Sequence, residues 1–151
     1  MKNIQSKLVW LLKDDYCTPQ ISRIAKAIDE PAATIHYNIK KLEDDGSIRA
    51  YKAVFDYRKI SEGFCVFILI ALSSKEYGAP ENIAKRLARH KEIESVDILA
   101  GEWELLAKVR TKDQDEYYNF LKNVISKEEG IRKTKSIISL KQLKTEFVQL
   151  S

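Results

Sequence analysis

An α+β chain in two parts is predicted by three features of the sequence. Apolar residues recur at helical spacing through residues 3–45, a β-rich stretch follows Gly46, and the remainder alternates strand and helix patterns in the order βαββαβ. The chain has 151 residues, 44% apolar and 32% charged, which is room for one ordinary domain or two small ones. Five glycines and three prolines are too few for a collagen-like or disordered chain. The longest apolar run, Phe64 to Leu72, has nine residues, whereas a helix needs about 20 to cross a bilayer. The opening MKNIQSKLVWLLKDD carries no small-residue cleavage site, so a cytoplasmic protein without a membrane span is expected.

Three short helices are marked by Ile4, Leu8, Leu11 and Leu12, by Ile21, Ile24, Ala25 and Ile28, and by Ile35, Ile39 and Leu42. None is long enough to be stable alone, so a small bundle is expected. Pro19, Pro31 and Pro80 each precede a helical pattern, where a missing N–H costs nothing. SIRAYKAVFDY (Ser47–Tyr57) is rich in β-branched and aromatic residues and alternates along its length, so it reads as a β wing. Three helices and a wing, with Asp29, Glu30 and Pro31 linking the second and third helices, form the pattern of a winged helix-turn-helix.

FCVFILIAL (Phe64–Leu72) reads as a strand buried on both faces, and PENIAKRLARH as a helix with Ile83 and Leu87 inward. IESVDILAG and EWELLAKVR read as strands joined directly at Gly101. DEYYNFLKNVIS is a helix with Tyr117, Phe120, Leu121 and Val124 on one face, and IRKTKSIISLKQL is a last strand. This order is the ferredoxin-like sandwich, in which two helices cover one face of a four-stranded sheet. Phe67, Leu69, Ala71, Ala107 and Val109 are assigned to the uncovered face, which a second copy is expected to bury. The expected domains are therefore 1–60 and 61–151.

Residues 1–60 hold 11 basic and 8 acidic side chains, and residues 61–151 hold 15 and 14. The basic excess in the first part suits an anionic partner, although a solvated helical surface gives the same count. Cys17 and Cys65 lie far apart without a CxxC pair, and only His36 and His90 are at hand, so no metal site is expected. There is no GxSxG and no P-loop, hence no catalytic residue and no cofactor is assigned.

TIHYNIKKLEDDGSI (Thr34–Ile48), AGEWELLAKVR (Ala100–Arg110) and IRKTKSIISLK (Ile131–Lys141) resemble the recognition helix, the glycine-acid-aromatic-acid turn and the closing strand of the Lrp/AsnC, or feast/famine, family. The resemblance covers nearly the whole chain and implies a transcriptional regulator with a RAM-type second domain. Thr34, His36, Tyr37, Lys40 and Lys41 lie opposite Ile35, Ile39 and Leu42, as a merely solvated face would have them; the resemblance makes them contacts to double-stranded DNA. It gives Arg49 and Lys52 a phosphate-tracking role and implies a pseudo-palindromic operator. It also implies a homodimer, with tetramers or octamers as further assemblies. It places Gly101, Glu102, Trp103, Glu104, Thr134 and Ser136 around a small amino-acid effector between subunits.

Two residues depart from the family pattern. Pro31 replaces the usual capping Ser, so the cap is lost or moved to Asp29, and Glu104 stands where Asp is usual. Two carboxylates favour a basic or polar amino acid. Two rival readings are an effector-independent architectural DNA protein and a tetrapyrrole decarboxylase-like enzyme of related fold. The enzyme would need clustered His and Arg where the second domain has only His90.

Overall fold

A computed structural model describes residues 2–14 and 16–144. The chain divides into two compact units between Val54 and Phe55. Residues 145–151, the end of the expected second domain, lie outside the described residues. No helix among the described residues is long and apolar enough to cross a membrane.

The first unit contains α1 (Lys2–Lys13), α2 (Ile21–Ile28) and α3 (Ala32–Asp44). Asp29 ends α2 in the left-handed conformation (φ +55°), its N–H bonded to the Ala25 carbonyl, and Pro31 at φ −59° sets the chain off again into α3. No side chain caps α3. Asp29 closes the preceding helix instead, so the cap lost with the usual Ser is not replaced. α2 packs on α3, and Ile35 is the one fully buried side chain among the described residues of this unit, at 6% exposure. Ile4, Leu8, Ile28 and Leu42 remain exposed, so the bundle is shallower than its periodicity suggests.

The expected β wing does not form a strand. Residues 48–56 have no regular secondary structure, and along Tyr51 to Tyr57 odd-numbered residues are half-buried while even-numbered ones are exposed. Their backbone bonds run to helices: Ile48 N–H donates to Leu42 O at 2.8 Å and Ala53 N–H to Leu12 O at 3.3 Å. The alternation in sequence is matched by alternating burial, but a ladder needs a second strand. The next β-forming run, from Phe64, is committed to the sheet of the second unit.

That unit runs β1 (Phe64–Leu72), α4 (Pro80–Leu87), β2 (Ile93–Ile98), β3 (Leu105–Thr111), α5 (Gln114–Asn123), a 3₁₀ turn (Ile125–Lys127) and β4 (Ile131–Ser139). The strands form one antiparallel sheet in the order β2-β3-β1-β4. β2 and β3 are not joined directly at Gly101, because residues 99–104 intervene as a connecting turn.

Val66, Ile68, Ile70 and Leu72 of β1 meet Leu105, Ala107 and Val109 of β3, and Ile83, Leu87, Tyr117, Phe120 and Ile125 close the core over them. Each fully buried aliphatic side chain here contributes roughly 1.5–3 kcal/mol. Ala107 and Val109 therefore do not belong to the uncovered face. Their partners across the ladder are Ile68 and Val66, so they point to the helices, and β3 presents Leu106, Lys108 and Arg110 on the other side. β1 is also not buried on both faces throughout, since Phe67 and Leu69 are only half-buried.

α5 starts with a reciprocal cap. Asp113 accepts from Glu116 N–H at 2.9 Å, and Glu116 accepts from Lys112 N–H at 2.7 Å. This fixes Tyr117, whose hydroxyl meets Ser136 Oγ of β4 at 2.6 Å.

Candidate nucleic-acid interface and effector turn

The first unit concentrates its chemistry on α3. Burying Ile35 turns the opposite side of the helix outward, and Thr34, His36, Tyr37, Lys40 and Lys41 are all exposed, Tyr37 at 68%. Asn38, nearer the packed side, spends its amide on Thr34 O at 2.8 Å. An exposed aromatic among cations and hydrogen-bonding groups on one helix can meet base edges and phosphates together.

The segment after α3 is held to that helix. Gly46 turns the chain, Ser47 N–H bonds Asp45 Oδ1 at 2.8 Å, and Tyr51 donates to Glu43 Oε1 at 3.0 Å. The Ser47 hydrogen bonds hold the Asp45 carboxyl below its ordinary range. Arg49 and Lys52 are exposed on this stapled segment. Two more cations are thus presented without a wing.

The second candidate site is the turn between β2 and β3. Gly101 adopts φ +141°, which disfavours any residue with a Cβ. Glu104 is tied down: its N–H donates to Ile70 O at 3.1 Å, its carbonyl accepts from Leu99 N–H at 2.9 Å, and its carboxylate accepts from Leu72 N–H at 2.6 Å. Leu72 lies at the irregularity in the β1–β4 ladder and is 3% exposed, so the Glu104 carboxylate satisfies a backbone donor that is shut off from water.

Glu102 is outward and pairs with Lys133 at 3.1 Å, and the same ammonium lies 4.6 Å over the Trp103 ring. The structure thus brings together Glu102, Trp103 and Lys133, and sequence reasoning missed the last. Thr134 and Ser136 are exposed on β4, but they pair with Ile70 and Ile68 and so share the helix-covered side, whereas Lys133 pairs with Ala71 on the other. Strand alternation would have found Lys133 had the register been known. His90 sits edge-on to Phe120 at 6.2 Å as a packing group, and Cys65 is buried on β1.

The chain is similar to known proteins along most of its length. Residues 65–148 match the Lrp/AsnC ligand binding domain family. The chain is 31% identical to the regulatory protein AsnC of Haemophilus influenzae over 144 residues, covering 93% of each chain. It is 30% identical to the HTH-type transcriptional regulator FL11 of Pyrococcus horikoshii over 141 residues, covering 93% of this chain and 90% of that one. In fold it resembles the transcriptional regulator NMB0573 of Neisseria meningitidis, solved as an L-Met complex, with TM-score 0.71, 21% identity and coverage of 93% and 89%. With a two-unit architecture, a basic helix face and this family match, the chain belongs to the Lrp/AsnC family of DNA-binding transcriptional regulators and is not an enzyme.

Proposed function

We propose that the protein is a sequence-specific regulator that binds a pseudo-palindromic operator as a homodimer, with α2 and α3 acting as a helix-turn-helix. The single observation that carries this reading is the exposed face of α3 above the buried Ile35. Thr34, His36 and Tyr37, in the first half of the helix, are assigned to base edges, and Lys40, Lys41, Arg49 and Lys52 to phosphates. Residues 1–60 supply the DNA-binding part and 61–151 the oligomerisation and effector part, in the cytoplasm. Tetramers and octamers are further assemblies open to such dimers.

The effector is assigned to the Gly101–Glu104 turn and is an amino acid, the class of ligand named for the Neisseria regulator. Glu104 is committed to Leu72, so recognition of a ligand ammonium falls to Glu102 and Trp103. These two already hold the ammonium of Lys133, so a ligand ammonium would take the place of that cation, and a basic or polar ligand over leucine is part of the same proposal. Thr134 and Ser136 share the helix-covered side of the sheet, away from Lys133, and are left out of the proposed site.

Selection of bound genomic fragments, with and without lysine, arginine, glutamine or leucine, tests both parts. The proposal expects enrichment of a symmetric sequence and a changed set with one of the amino acids. No enrichment overturns sequence-specific binding, and an unchanged set with all four overturns the effector assignment.

A further inference from the structure

One end of the uncovered sheet face is occupied by the chain itself. Register brings Cys65, Phe67 and Leu69 of β1 beside Arg110, Lys108 and Leu106 of β3 on this face. Glu94 accepts from Lys108 Nζ at 2.7 Å and from Arg110 Nε at 2.6 Å, and Arg110 donates further to Gln142 Oε1 at 3.3 Å. The Arg110 guanidinium lies 3.7 Å from the Tyr57 ring centroid. Its side chain is only 9% exposed. A cation this buried needs all its partners, because losing one leaves charge facing a low dielectric.

Beyond Tyr57 the chain closes on itself before entering β1. Glu62 N–H donates to Tyr57 O at 2.9 Å, Lys59 N–H donates to Asp56 O at 2.9 Å, and Arg58 pairs with Asp56 at 3.2 Å. Gly63 lies so close to Arg58 that a Cβ there would approach its Cα to 3.2 Å. Residues 55–63 therefore form a compact loop with Tyr57 as its anchor on the sheet.

We propose that residues 55–63 are a strap latched to the second unit by the Tyr57 ring on Arg110, with Glu94 and Gln142 holding the guanidinium in place. The latch fixes where the chain leaves the sheet on its way to the DNA-binding unit. It also joins the Glu94–Lys108–Arg110 group on that face to the strap through the Tyr57 ring. The device needs no effector, so it stands or falls independently of the ligand assigned above.

Native-state trypsin digestion of the full chain tests the latch, because Arg58 and Lys59 are cleavage sites within the strap and Lys75, exposed between β1 and α4, is an internal control. When cleavage is slow relative to reclosing, its rate reports the population of the open strap. Tyr57→Ala should raise cleavage after Arg58 and Lys59 about tenfold, equivalent to about 1.4 kcal/mol, with cleavage after Lys75 unchanged. Tyr57→Phe, which keeps the ring, should stay much nearer wild type than Tyr57→Ala, and Arg110→Gln should match Tyr57→Ala. If Arg110→Gln also accelerates cleavage after Lys75, it has unfolded the unit, and the two Tyr57 variants decide. Wild-type cleavage in Tyr57→Ala, or Tyr57→Phe as fast as Tyr57→Ala, overturns the latch.

Discussion

Replacing Glu104 by Ala separates a structural carboxylate from a ligand-binding one. In the folded chain Glu104 Oε2 accepts from Leu72 N–H at 2.6 Å, and Leu72 is 3% exposed. Removing the carboxylate leaves a buried backbone donor without its acceptor, which costs about 1–3 kcal/mol, and hydrogen bonds to charged groups fall in the upper part of that range. The expected loss for Glu104→Ala is thus about 2 kcal/mol. Glu104→Gln keeps an acceptor at the same reach and should lose about half as much. Glu102→Ala removes only a side chain that is 71% exposed and paired with Lys133, so it should cost less than about 1 kcal/mol. Urea denaturation followed by Trp103 fluorescence, in a Trp10→Phe background, measures all three. Equal midpoints for wild type and Glu104→Ala would refute the assigned role and return Glu104 to the effector.

Two further predictions follow from the second unit. Burial pushes the Glu94 carboxyl up, but hydrogen bonds from Arg110 and Lys108 outweigh it and hold the group below its ordinary 4.5. A depressed folded-state value stabilises above about pH 4.5 and loses that contribution as pH falls through the folded value, so Glu94→Gln should be less stable than wild type near neutrality and the gap should narrow below pH 4.5, as melting curves across pH will show. Gly130 sits at φ +101°, and a Cβ there would lie 2.6 Å from Glu76 Cγ and 2.9 Å from Ile83 Cδ1. Gly130→Ala should cost about 2–4 kcal/mol in chemical denaturation.

The parts legible in the sequence were those that depend on local periodicity. The unbroken run Val66 to Leu72 and the spacing of Ile83 with Leu87 and of Tyr117 with Phe120 located β1, α4 and α5, because burial on one side imposes these periods on the chain. What depends on pairing was not legible. Alternation places Ala107 and Val109 on one face of β3 but does not say which, and only the register with Ile68 and Val66 turns them to the helices. The wing is absent for a related reason, since a β-forming composition at Ser47–Tyr57 does not supply a partner strand.

The candidate sites divide in the same way. The outward face of α3 follows from helix geometry alone. The role of Glu104 does not, because the buried Leu72 N–H that claims its carboxylate is 32 positions away. Lys133 over Trp103 and Arg110 over Tyr57 are equally remote pairs. No local pattern marks them.

The central claim is that α3 reads DNA, and fluorescence anisotropy on a selected operator duplex and a scrambled duplex, across a salt series, tests it most directly. Lys40→Ala/Lys41→Ala should weaken binding to both duplexes alike and reduce the slope of log affinity against log salt by about 2, near 0.9 for each phosphate that is no longer neutralised. Tyr37→Ala should narrow the ratio of operator to scrambled affinity by roughly 5- to 150-fold, the span of about 1–3 kcal/mol for reading one base edge, while leaving the salt slope in place. Wild-type affinities and salt slopes in both variants would contradict the account and place the DNA-binding surface elsewhere on the chain.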